Sequence, residues 1–124
     1  ETKGETWDGF PSRSPTILIG LGELEGKPAI GLNYGLDQSQ KFGPVFLKPG
    51  TWHSLAVVVR WSQQDDGQAT FYFDDLTKPL TTLKGANLHN AYQHFLKLGI
   101  YRHPEIATDN WIHLDSVEIR HEKP

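Results

Sequence analysis

At 124 residues, with 37% hydrophobic and 22% charged side chains, the chain reads as a single globular domain, large enough to bury a core and too apolar to be disordered. A net charge of −3 argues against a nucleic-acid binder that works by bulk positive charge, and no apolar run approaches the roughly 20 residues of a membrane-spanning helix. Cysteine is absent, which excludes disulfide frameworks and thiolate zinc sites. Methionine is absent even from position 1, as in a processed polypeptide whose signal peptide has been removed, so a secreted, extracellular protein is expected.

Twelve glycines and eight prolines break the chain into short alternating runs, the pattern of an all-β sandwich or barrel. Residues 1–15 form a polar loop in which Thr2 to Trp7 is the one stretch able to pair as a strand, and residues 16–120 are the expected sandwich core. Thr16 to Leu21 and Ala29 to Tyr34 read as strands joined by a hairpin through Glu25-Gly26-Lys27-Pro28. A short strand around Val45 to Leu47 follows, then a Lys48-Pro49-Gly50 turn. Trp52 to Ser62 is the longest strand, with His53, Leu55, Val57, Val59 and Trp61 on one face and Trp52, Ser54, Ala56, Val58 and Arg60 on the other. Asp66-Gly67 turns the chain into Ala69 to Asp74, where Tyr72 opposes Phe71 and Phe73. Residues 75–93 are irregular, with a helical turn near Asn87 to Gln93. Phe95 to Arg102 and Trp111 to Arg120 close the series as strands.

The run Phe95-Leu96-Lys97-Leu98-Gly99-Ile100-Tyr101-Arg102 separates at period two into an apolar stripe, Leu96, Leu98 and Ile100, and a second face carrying Lys97, Gly99, Tyr101 and His103. A cation and a phenol flanking a glycine gap suit the grip on an acidic sugar. Each has a plainer reading too, Tyr101 as a strand tyrosine with a wet hydroxyl and Lys97, Arg102 and His103 as solvated surface groups. Arg102 points to the opposite face unless a bulge intervenes, so Lys97 is the stronger candidate of the two cations. On the long strand, Trp52 and Trp61 are more often core residues than sugar platforms, although Trp52 shares its face with Arg60 and can line a cleft, and Tyr72 can stack on a sugar ring. His53 reads as structural. Asp65-Asp66 and Asp74-Asp75 fall at turns, as solvated turn residues do, and no serine–histidine–acid order or phosphate-binding loop is present.

Three segments together carry a family resemblance: Gly50-Thr51-Trp52-His53-Ser54-Leu55 running on to Arg60-Trp61-Ser62 and Asp66-Gly67; His94-Phe95-Leu96-Lys97-Leu98-Gly99-Ile100-Tyr101-Arg102; and Ile112-His113-Leu114-Asp115-Ser116-Val117-Glu118-Ile119. Their order resembles the jelly-roll polysaccharide lyases, the heparin, glucuronan and alginate lyase group with a concanavalin A-like sandwich. The resemblance implies an antiparallel β-sandwich, an acidic (uronate) polysaccharide as partner, and Tyr101 and Lys97 as catalytic residues. Tyr101 is similar to the family's tyrosine acid, and Lys97 would neutralise the uronate carboxylate. From their faces and chemistry, Trp52, Arg60, Tyr72, Arg102 and His103 are expected to contact the glycan. Lys3 joins them, because Glu1-Thr2-Lys3-Gly4 resembles a central strand whose basic residue faces the cleft. The likeness extends over the C-terminal half of such an enzyme, so an N-terminal segment or a second chain is expected to complete the sandwich.

No cofactor is required by that chemistry. Asp115, in the closing strand, is the candidate for a structural calcium, with carboxylates from Glu5 and Asp8. Two other functions compete with a lyase: a carbohydrate-binding module that holds the same glycan uncleaved, and a structural protein that assembles through exposed sheet edges.

Overall fold

Ile30, Leu32 and Tyr34 are buried at alternate positions of the strand Lys27–Tyr34, which organises one half of the first unit. The computed structural model describes residues 14–90 and 95–122, and the chain divides into two units at residue 93. The first unit holds six strands: β1 (Ile17–Leu24), β2 (Lys27–Tyr34), β3 (Gln40–Phe46), β4 (Leu55–Arg60), β5 (Gln68–Phe73) and β6 (Thr81–Lys84). They form two antiparallel sheets of three, ordered β1-β2-β3 and β4-β5-β6, with no helix among the described residues. The all-β antiparallel sandwich expected from the sequence is what forms.

β1 and β2 meet at a two-residue turn in which Glu25 and Gly26 both take left-handed φ, 52° and 72°, with Leu24 opposite Lys27. That conformation matches the twist of the flanking strands. β3 pairs with β2 in two registers, shifting between Ile30 and Leu32. The shift falls at Gly43, whose φ is 114° and whose absent Cβ would lie 3.0 Å from the Ile30 carbonyl oxygen. Only glycine fits that approach comfortably.

The core lies between the sheets. Leu32 and Tyr34 of the first sheet meet Ala69 and Phe71 of the second, all buried, and Ile17, Ile19, Phe42, Val57, Val59 and Leu83 pack around them. Full burial of a side chain such as Phe71 contributes about 1.5–3 kcal/mol. Among the described residues one polar side chain, Asn87, is buried with them. Asn87 donates from Nδ2 to the Tyr34 hydroxyl (3.0 Å) and the Arg60 carbonyl (3.0 Å), and accepts from the Ser62 amide at 2.8 Å. Tyr34 in turn donates to the Gly85 carbonyl at 2.7 Å, and burial pushes its hydroxyl pKa up. Gly67 makes room for this knot, because a Cβ there would sit 2.5 Å from the Gly85 oxygen and 3.0 Å from the Asn87 amide oxygen.

Several elements depart from the sequence expectation. The strand at Trp52 to Ser62 is shorter, because His53 and Ser54 bond to Asp74 and Lys48 before the β4 ladder begins. The strand placed at Val45 starts five residues earlier, at Gln40. β6 lies within the stretch read as irregular, and residues 87–90 form no helical turn; 91–93 lie outside the described residues. The strands expected at Phe95 to Arg102 and Trp111 to Arg120 are not formed: residues 95–122 contain no ladder. Alternation gives an extended segment two faces, but a strand exists only when its backbone amides and carbonyls find a neighbour. The expected strand at Thr2 to Trp7 lies outside the described residues.

Candidate functional site

The candidate residues fall into two groups, one in each unit. In the first, the β4–β5 register puts Leu55, Val57 and Val59 opposite Phe73, Phe71 and Ala69, on the core side. The alternate pairs, Ala56 with Tyr72, Val58 with Thr70 and Arg60 with Gln68, therefore share the outer face. Arg60 lies four residues along β4 from the partner of Tyr72, about 13 Å away by strand rise. Val58, 60% exposed, lies between them, and the Thr70 and Thr82 hydroxyls bond across the strands at 3.0 Å. The Arg60 guanidinium pairs with the Asp66 carboxylate, whose other oxygen accepts from the Ser62 hydroxyl. The Ser62 bond first, and Arg60 after it, hold the Asp66 carboxyl below its usual pKa. The face thus offers a phenol, a band of hydroxyls and apolar surface, and a carboxylate-anchored cation, groups able to contact the rings and hydroxyls of a sugar chain.

Trp52 stands 68% exposed just before β4, next to a side chain that fixes this part of the chain. The His53 ring stacks on Phe73 with centroids 5.1 Å apart. Its Nδ1 lies 2.9 Å from Asp74 Oδ2, and its Nε2 lies 3.1 Å from the Lys48 amide nitrogen and 3.2 Å from the Lys48 carbonyl oxygen. Asp74 Oδ1 also accepts from the Ser54 amide at 3.0 Å. The bond to Asp74 raises the His53 pKa, with a smaller contribution from Lys48, and the same bond lowers that of Asp74. His53 is a structural clasp, as its place in the strand pattern suggests. The aspartate that completes the clasp is separated from it by 21 positions, so nothing local announced it.

The second group occupies residues 95–103. Phe95 and Tyr101 are 70% and 77% exposed, while Leu96, Leu98 and Ile100 are 56%, 52% and 44% exposed, so a weak two-sidedness survives without strand pairing. The Lys97 ammonium sits 5.1 Å from the centroid of the Phe95 ring, a cation–π contact between neighbours on the odd-numbered side. Arg102 closes a loop: its Nη1 donates to the Thr108 carbonyl and, at 3.0 Å, to Asn110 Oδ1. His103 opens the turn inside that loop, its carbonyl accepting from the Ile106 amide at 3.1 Å and its Nδ1 from the Glu105 amide at 3.3 Å. Against the closed loop lies an open cleft of about 340 Å³, lined by Ile100, Arg102, Asp109, Asn110 and Trp111. Asp109, Asn110 and Trp111 are not among the residues expected from the sequence, where they read as a loop end and a strand start. An exposed tryptophan directly after Asp-Asn was the available signal.

Asp115 accepts a hydrogen bond from the Ser116 amide at 2.8 Å, and Ser116 has a left-handed φ of 53°. Among the described residues no three His, Asp or Glu side chains gather as metal ligands would. Glu5 and Asp8, its expected co-ligands, and Lys3, the expected glycan contact, lie outside the described residues.

The description polysaccharide lyase belongs to a family model that matches residues 7–118, a span containing both groups of residues. No curated protein and no solved structure matches the chain.

Proposed function

This chain belongs to the polysaccharide lyase family, and from that premise we propose that it binds an acidic, uronate-containing polysaccharide outside the cell and contributes to its β-elimination. The family match carries this reading, since it runs across the whole Lys97–Tyr101 segment. In the reaction a solvent water takes up the C5 proton, the C–H bonding pair forms the C4–C5 double bond, and the C4–oxygen bond breaks toward the departing sugar, which takes up a proton. Lys97 neutralises the carboxylate and so stabilises charge developing at C5. Tyr101, with its hydroxyl open to a ligand, supplies the proton to the leaving oxygen. Arg60, Tyr72 and Trp52 give the first unit its own groups for contacting sugars.

The test is incubation with uronate polysaccharides while following ultraviolet absorbance of the unsaturated product. Tyr101→Phe lowers the rate by about 10²-fold or more, the scale of a lost general acid, and leaves thermal stability unchanged. Absence of product from every uronate polymer overturns the catalytic reading.

A second reading has its own observation. Tyr101 is 77% exposed in a segment with no strand pairing, and general acid catalysis gains most from groups held rigidly away from water. A binding module that retains the glycan without cleaving it fits that exposure. Glycan binding without product, weakened by Lys97→Ala, identifies it.

A further inference from the structure

We propose that the cleft formed by Arg102, Asp109, Asn110 and Trp111 is a single-sugar subsite that selects an unsulfated uronate over a sulfated one. The inference rests on the reading above that the ligand is a uronate glycan, and it adds a specificity that family membership does not carry.

Four features argue for it. The Trp111 indole is 82% exposed beside polar groups, which leaves a broad ring face for the C–H face of a pyranose. Among the described residues, both hydrogen bonds of Arg102 leave from Nη1, so the guanidinium plane is held while Nη2 and Nε keep their N–H donors for a carboxylate. Because the loop already fixes this side chain, little of its freedom is lost when a ligand binds. Asn110 gives its carbonyl oxygen to Arg102 and retains its amide N–H groups for a sugar hydroxyl.

Asp109 supplies the discrimination. Asp109 lines the same cleft as Arg102, so the cleft holds one cation and one carboxylate. A uronate brings one carboxylate to Arg102 and hydroxyls to Asp109. A sulfate ester brings a further negative charge into a cleft that already holds the Asp109 carboxylate, and like charges in one small cleft are disfavoured. The volume of about 340 Å³ is at the lower end for ligand sites, suited to one sugar ring rather than several.

Calorimetric titration of the protein with an unsulfated glucuronic acid oligosaccharide, and with a sulfated heparin oligosaccharide of equal length, tests the proposal. Wild type is expected to bind the unsulfated ligand more tightly. Trp111→Ala should weaken that binding by about tenfold, with Trp111→Phe recovering part of it, and the exposure of Trp111 means its removal leaves the unfolding midpoint in place. Asp109→Asn should narrow the gap by improving binding of the sulfated ligand. If wild type binds the unsulfated ligand but Trp111→Ala and Asp109→Asn leave both affinities as they were, the subsite is overturned and the uronate reading stands. A wild-type preference for the sulfated ligand also overturns the selectivity. Failure of wild type to bind either ligand removes both the subsite and the uronate reading.

Discussion

The strands of residues 17–84 and the segment of residues 95–122 share the same alternating pattern, yet only the first forms sheets. In the first, each strand has a partner, and the side chains chosen by alternation close on Leu32, Tyr34, Ala69 and Phe71. In the second, Leu96, Leu98, Ile100, Ile112 and Leu114 all remain well exposed. Period-two alternation is thus a statement about faces, and pairing is a separate condition met by a neighbouring backbone. Lys97 and Tyr101 lie in the segment where the second condition is unmet, while Arg60 and Tyr72 stand on the outer face of a paired sheet.

The contrast can be broken by matched substitutions. Phe71→Ala in the closed core should cost about 3–5 kcal/mol in urea unfolding, whereas Leu98→Ala should fall within about 0.5 kcal/mol of wild type. Equal costs would mean that residues 95–122 bury their apolar side chains after all. Asn87→Ala is expected to cost about 1–3 kcal/mol, because it strands the Ser62 amide and removes a partner from Tyr34 and from the Arg60 carbonyl. Gly43→Ala should cost about 1–3 kcal/mol, since alanine at φ 114° is strained and its methyl meets the Ile30 carbonyl. A variant as stable as wild type would show that the β2–β3 register shift relaxes easily.

The smallest effect is a pH dependence confined to the first unit. His53 has its pKa raised from 6.5, so its contribution is fully present below pH 6.5 and is lost as pH rises through the folded value. Asp74 is lowered from 3.8, so its contribution is present above pH 3.8 and is lost as pH falls through its folded value. The clasp is therefore strongest between those two reference values. Hydrogen exchange at the Ser54 amide should be slower at pH ~5 than at pH ~8 after correction for intrinsic rates, and His53→Gln should erase the difference. A corrected rate that ignores pH in wild type rules out the linkage.

Much of the fold was legible, and the misses have identifiable causes. The β1–β2 hairpin could be read because Glu25-Gly26 sits between two alternating runs. β3 was cut short in the reading because Gly43-Pro44 interrupts the alternation that Phe42 and Val45 would otherwise share. β6 escaped because Thr81-Thr82-Leu83-Lys84 offers one large apolar residue in four. Of the site, the shared outer face of Arg60 and Tyr72 needs the β4–β5 register, but the face of Arg60 on β4 and of Tyr72 on β5 followed from alternation. The Arg102 loop did not, since it depends on bonds reaching six and eight residues ahead. Nor did the Asn87 knot, whose partner Tyr34 is 53 positions away.

That knot also acts on the choice between structures. The greasy contacts between the sheets are tolerant of sliding, because one aliphatic neighbour substitutes well for another. A buried amide and phenol are not tolerant: shift one sheet by a residue and three or four polar atoms lose their partners inside a dry interior. Asn87 and Tyr34 thus work as an indexing pin, penalising every misaligned docking more than they favour the correct one. Replacing the amide should cost the domain its single fixed packing before it costs its strands, with near-ultraviolet circular dichroism fading while the far-ultraviolet signal persists.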